Sequence, residues 1–157
     1  MDYLSIEVSP AEVTGHKHAA VGLYTVARIN GRALPDILDV DAFFDALTGR
    51  GRLPLFTCDC GDFWCGGSYI DVASTDTAWI WRNRYAPGRL EHARVLGTDE
   101  HHLPWSNVRS VADELLALLQ SSHRERPHVR LMSAYPGIDL CDRLPHYEAQ
   151  AQAITEL

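Results

Sequence analysis

No apolar run in this sequence approaches the roughly 18 residues that a membrane-spanning helix needs. Its opening residues, Met1-Asp-Tyr-Leu-Ser-Ile-Glu-Val8, carry neither a basic leader nor a sustained apolar stretch. A secretory signal is therefore not expected, and the cytoplasm is the expected compartment. Also missing are the Gly-x-Gly-x-x-Gly fingerprint, the phosphate-binding P-loop, the His-Glu-x-x-His motif and the Gly-x-Ser-x-Gly elbow. The usual sequence signs of nucleotide, metalloprotease and serine-hydrolase chemistry are thus absent. Positive charge is scarce: 14 Lys and Arg against 21 Asp and Glu give a formal charge of −7. Such a surface repels a polyanion, which argues against general nucleic-acid binding. There is no internal repeat and no low-complexity linker.

What is present fits one α+β domain. A chain of 157 residues is long enough to bury about 68–70% of its unfolded surface without help from a metal or a disulfide. Leu4, Ile6 and Val8 alternate with polar residues as in a half-buried strand, which Ser9-Pro10 is expected to stop. A second run, His18 to Ile29, leads into Asn30-Gly31, the pair suited to a type I′ hairpin turn, with a short return strand over Arg32 to Leu34. Asp39 or Asp41 can cap a helix whose apolar face is Val40, Phe43, Phe44 and Leu47. Strands are expected at Leu53 to Thr57, Ser68 to Ala73 and Thr77 to Tyr85, and a further one at Leu90 to Leu96. A helix capped by Ser106 runs to about Ser122, with Val108, Val111, Ala112, Leu115, Leu116 and Leu119 as one stripe. Val129 to Ser133 reads as a short strand, and Tyr147 to Leu157 as a helix with few anchors. The expected architecture is an antiparallel sheet with a strand-knuckle-strand centre, packed by two or three helices.

The knuckle, Thr57 to Gly67, concentrates the chemistry. Three of the four cysteines, Cys58, Cys60 and Cys65, fall within eight positions. In a reducing compartment such a cluster is more often a metal or reactive site than a disulfide framework. Three thiolates would bind zinc, with a fourth ligand from Cys141, His101, His102, His92 or the His16/His18 pair. The plain alternative is three reduced cysteines packed at a tight connection, with glycines serving the backbone. A disulfide is a third reading, with Cys65 the better partner because a Cys58–Cys60 bridge closes a strained ring. A nucleophilic cysteine is disfavoured by Asp59 and Asp62, which oppose thiolate formation.

Two surface features suggest a partner. Trp79, Trp81 and Tyr85 are spaced to share one face of a strand beside Arg82 and Arg84, a hot-spot composition if that face is open and plain core if it is covered. Asp36, Asp39, Asp41 and Asp45 form the densest acidic group and would suit a basic target.

The segment Thr57-Cys-Asp-Cys-Gly-Asp-Phe-Trp-Cys-Gly-Gly67 resembles the Thr-Cys-x-Cys-Gly-x3-Cys-Gly-Gly segment of small bacterial proteins of unassigned function, some regarded as immunity proteins beside toxin genes. The resemblance covers the knuckle and the strand after it, with Val72 and Trp81. It implies a binding module that occludes a toxin, and it assigns no catalytic residue. The reading from a different class is a small zinc- or cysteine-dependent enzyme built on Cys58, Cys60 and Cys65.

Overall fold

Asn30 and Gly31 both take positive φ, 51° and 81°, and so close the first hairpin as a type I′ turn requires. Around that hairpin the chain lays down a meander. The computed structural model describes residues 1–12, 20–58, 63–133 and 138–157. Seven strands follow one another in sheet order: β1 (Leu4–Glu12), β2 (Ala20–Ile29), β3 (Arg32–Leu38), β4 (Gly51–Thr57), β5 (Ser68–Ser74), β6 (Ala78–Tyr85) and β7 (Val95–Pro104). All six neighbouring pairs are antiparallel. An eighth strand, β8 (Arg130–Met132), lies parallel to the start of β2. The helices are α1 (Val40–Ala46), the single turn α2 (Phe63–Gly66), α3 (Trp105–Glu125) and α4 (Leu144–Thr155). The α+β architecture with a strand-knuckle-strand unit is as the sequence suggests, and none of the described helices is long and apolar enough to cross a membrane.

The sheet curls until its two edges approach. The amide of Asp2 donates to the carbonyl of His102 at 2.8 Å, and the amide of His102 donates to the Asp2 carboxylate at 2.9 Å. Asn107 on α3 completes the seam. Its side chain accepts from the Leu4 amide at 2.7 Å and donates to the Leu4 carbonyl at 2.9 Å, satisfying both backbone groups of a buried residue.

One face of the curled sheet carries Leu38, Phe56, Ile70, Val72, Trp79, Trp81 and Leu103 into a single core with α1, α3 and α4. The stripe foreseen on α3 is buried as expected, together with Trp105 and Asn107. Phe43 and Phe44 of α1 are fully buried, each contributing about 1.5–3 kcal/mol. Phe43 meets Trp79 edge-on at 5.6 Å, and Phe44 stacks on Tyr147 of α4 at 4.6 Å.

Several boundaries differ from expectation. β1 runs through Ser9-Pro10, which an edge strand tolerates because a missing N–H can face away from the ladder. β3 continues past Pro35 to Leu38. The strand expected over Leu90 to Leu96 instead begins at Val95, and residues Leu90–His92 form a 3-10 turn. Charged residues extend this strand because they are paired across it: Arg82 Nε lies 2.8 Å from Glu100 Oε2. Finally, α3 starts at Trp105 without a side-chain cap from Ser106; the Trp105 indole N–H instead donates to the Thr75 carbonyl at 2.9 Å. The last helix is no loose end, because Leu144, Tyr147, Ala151 and Ile154 all anchor it in the core.

Candidate functional site

β4 and β5 pair from Gly51↔Val72 to Phe56↔Ser68, so the segment between Phe56 and Ser68 must reverse the chain. The helical turn α2 does part of that work, and Gly67 is what allows it to lie so close. A Cβ at Gly67 would sit 2.5 Å from the Phe56 carbonyl oxygen and 2.7 Å from Phe63, distances no side chain tolerates. Its amide closes the turn on the Phe63 carbonyl at 2.8 Å. Gly66 is tight as well: a Cβ there would come within 3.1 Å of Cys58 Cβ. The glycine pair of the motif is therefore a packing requirement.

Cys58 is disulfide-bonded, whereas Cys65 and Cys141 carry free thiols. In this form Cys58 supplies no thiolate to a metal and none to catalysis, which removes one leg of the zinc and cysteine-enzyme readings. The disulfide expected to use Cys65 does not, since Cys65 is free and exposed. Cys60, and with it the His16/His18 pair, lies outside the described residues. Of the other fourth-ligand candidates, His102 lies against Glu100 at 2.5 Å, His101 Nδ1 is 3.9 Å from Asp2 and His92 is exposed on the 3-10 turn. Burial pushes the Cys141 thiol up to about 11, with Asp139 and Asp142 adding to it. Among the described residues no group of three or more His, Cys, Asp or Glu side chains is arranged to hold a metal ion.

The aromatic row reads differently in three dimensions. Trp81 is only 2% exposed and meets Phe56 at 5.8 Å and Trp79 at 5.1 Å, both edge-on, so it belongs to the core. Tyr85, 9% exposed, is on the other face. A β-bulge at Asn83, whose φ is +50°, inserts one residue after Arg82 and reverses the alternation. There the Tyr85 hydroxyl donates to Asp71 at 2.8 Å, and the Arg52 guanidinium lies 3.5 Å over its ring. Burial alone would raise the Asp71 carboxyl, but hydrogen bonds from Arg52, Tyr85 and Asn83 outweigh it and hold the group below its ordinary value. Neither residue forms the open recognition row that strict alternation implied.

The acidic group is divided too. Asp36 shares the inner face with Ser68, whose hydroxyl donates to it at 3.1 Å. Asp39 caps α1, accepting from the amides of Asp41 and Ala42 at 3.0 and 3.3 Å. Burial pushes its carboxyl up to about 6, against those two bonds and helped by the charges of Asp41 and Asp45. Asp41 and Asp45 are spent on α4 and the residue that precedes it: Arg143 Nε is 2.8 Å from Asp41, while Arg143 and His146 reach Asp45 at 3.3 and 2.6 Å. Nothing in the sequence pairs Asp41 with Arg143, because the partners are a hundred residues apart and carry no local spacing.

The exposed feature that sequence reasoning overlooked is Trp64, 68% accessible on α2. Phe63 supports it edge-on at 5.4 Å and is itself set against Tyr69 at 4.8 Å. Trp64, Phe63 and Tyr69 line an open cavity of about 540 Å³ together with Asp39, Asp41 and Asp45. The signal was available: Trp64 sits in a glycine- and aspartate-rich knuckle, outside any apolar periodicity that would assign it to the core. Compared with known protein families, curated proteins and solved structures, the chain matches none.

Proposed function

We propose that this chain is a protein-binding module of the immunity type, which neutralises a cognate bacterial toxin by occluding it, and that it docks through the knuckle face. The observation that carries the reading is Trp64, a large, exposed aromatic held on a one-turn helix by Gly67 and Phe63, beside the carboxylate-lined cavity. Rigid aromatic anchors next to a pocket are where interface energy concentrates, because little conformational entropy is lost when they are buried. The net charge of −7 favours a basic partner and speeds its encounter. On this reading the protein acts in the cytoplasm, its partner is a protein rather than a nucleic acid, and the cysteines brace the docking edge.

The test is co-expression with the products of the neighbouring genes. Cells carrying the chain should survive a toxin encoded beside it, and the two proteins should co-elute as one complex. Trp64→Ala should weaken that complex by about 30-fold or more, the cost of removing a hot-spot aromatic. Full sensitivity to every neighbouring toxin, with no complex formed, would overturn the proposal.

A further inference from the structure

A second cavity, of about 220 Å³, opens on the inner face of the sheet, and among the described residues no helix residue lines it. Its position follows from register. Leu38 pairs with Phe56 and Phe56 with Ser68, so Asp36, two residues before Leu38, points to the same side as Ser68. Ile70 pairs with Arg84 across the Asn83 bulge, which brings the guanidinium to that side as well. The floor is apolar: Phe56, Ile70 and Trp81 are all core residues that also line this opening.

Of the Asp and Arg residues that line the opening, Arg82 is paired with Glu100 and Asp99 is exposed, which leaves Asp36 and Arg84 over that floor. Arg84 Nη1 is 3.9 Å from Asp36 Oδ2, too far for a hydrogen bond. Among the described residues the Arg84 guanidinium makes no hydrogen bond, although two-thirds of its side chain is buried, so its five donors lack a fixed acceptor there. Asp36 accepts from Ser68 at 3.1 Å, yet burial still holds its carboxyl above the ordinary value, with Ser68 and Arg84 offsetting only part of the cost. Each group is thus under-compensated and the pair does not satisfy itself. A bare anion would gain Arg84 but face Asp36; a bare cation would meet the reverse. A ligand carrying both charges on adjacent atoms satisfies the two at once.

We propose that this cavity binds a free α-amino acid with an apolar side chain, its carboxylate on Arg84, its ammonium on Asp36 and its side chain on Phe56, Ile70 and Trp81. The volume decides the size class, since drug-sized ligands occupy about 300–1,000 Å³ and this opening is smaller. Among the described residues the site shares no lining residue with the knuckle cavity, so it stands apart from the docking proposal.

Calorimetry on the intact chain with leucine, phenylalanine and tryptophan tests it. At least one should bind with a dissociation constant below about 1 mM, that is about −4 kcal/mol. N-acetylation, which removes the ammonium, and amidation, which removes the carboxylate, should each weaken binding by about tenfold or more. Arg84→Gln and Asp36→Asn should do the same while leaving the near-UV circular dichroism unchanged, and Trp64→Ala should bind as the wild type does. The proposal fails if none of the three amino acids binds, if the acetylated and amidated forms bind as tightly as their parents, or if nucleosides bind and amino acids do not.

Discussion

Trp81 and Tyr85, four residues apart on β6, point to opposite faces of the sheet, because Asn83 occupies a bulge between them. One ring is sealed in the core and the other is clamped by Arg52 and Asp71. The positive φ of Asn83 makes the bulge sensitive to its residue type, since a β-branched side chain is strained there and glycine is not. Asn83→Val should be about 1–3 kcal/mol less stable than Asn83→Gly in urea unfolding. Equal stability of the two variants would mean that the bulge is not what sets the reversal.

Gly67 and Gly97 offer a matched pair. A methyl group at Gly67 meets the Phe56 carbonyl and Phe63, whereas one at Gly97 meets nothing within 4 Å. Gly67→Ala should cost about 2–4 kcal/mol and shift Trp64 fluorescence, while Gly97→Ala should stay within about 0.5 kcal/mol of wild type.

Tyr147 ties α4 to α1 through a 2.6 Å hydrogen bond to Asp41, and burial followed by that bond raises its hydroxyl far above the ordinary range. Tyr147→Phe keeps the stacking on Phe44 and should lose about 1.5–3 kcal/mol, the value of a bond to a charged acceptor. Tyr147→Ala, which also opens a cavity, should lose about 3–5 kcal/mol. The difference between the two unfolding midpoints separates hydrogen bond from packing.

Asp39 gives the protein a pH signature. Its carboxyl is raised from 3.8 to about 6 in the folded state, so the native form holds that proton more tightly than the unfolded form does. The stability this proton brings is present at low pH and is lost as pH rises through that interval, on the order of 2–3 kcal/mol in full. Asp39→Asn still caps α1 but cannot titrate. Relative to that variant, the wild type should lose stability between about pH 4 and pH 6; parallel unfolding curves across that range would show that Asp39 does not titrate there.

The two free thiols should differ sharply in reactivity. With the Cys141 thiol at about 11, only about a thousandth of it is thiolate at pH 8, and it is half-buried, whereas Cys65 is exposed. Maleimide labelling followed by peptide mapping should modify Cys65 first, with Cys141 reacting only on unfolding.

Local chemistry made much of the fold readable. Asn30-Gly31, the Asp39 cap and the apolar stripe of α3 each act within a few residues, and all three are found where the sequence places them. Readings that depended on distant partners went astray. Asp41 and Asp45 look like a free acidic patch until Arg143, just before α4, and His146, within it, arrive. Trp81 and Tyr85 look like one row until the bulge intervenes. Pairing with β6 also turns the charged segment around Glu100 into a strand, which propensity alone disfavours. The knuckle stands out in the sequence through its cysteines and glycines, whereas the exposed ring of Trp64 does not, since a ring's accessibility is set by the packing of the whole fold.

The clasp between Leu4 and Asn107 spans 103 positions, so the residue that closes the seam emerges from the ribosome long after the strand it fastens. Until then β1 has only β2 beside it, and its other edge is an open template for another chain. The finished molecule is therefore sealed by its own order of synthesis: a nascent chain stalled before α3 would carry an adhesive edge, and Asn107→Ala should lengthen the time that edge stays exposed during refolding.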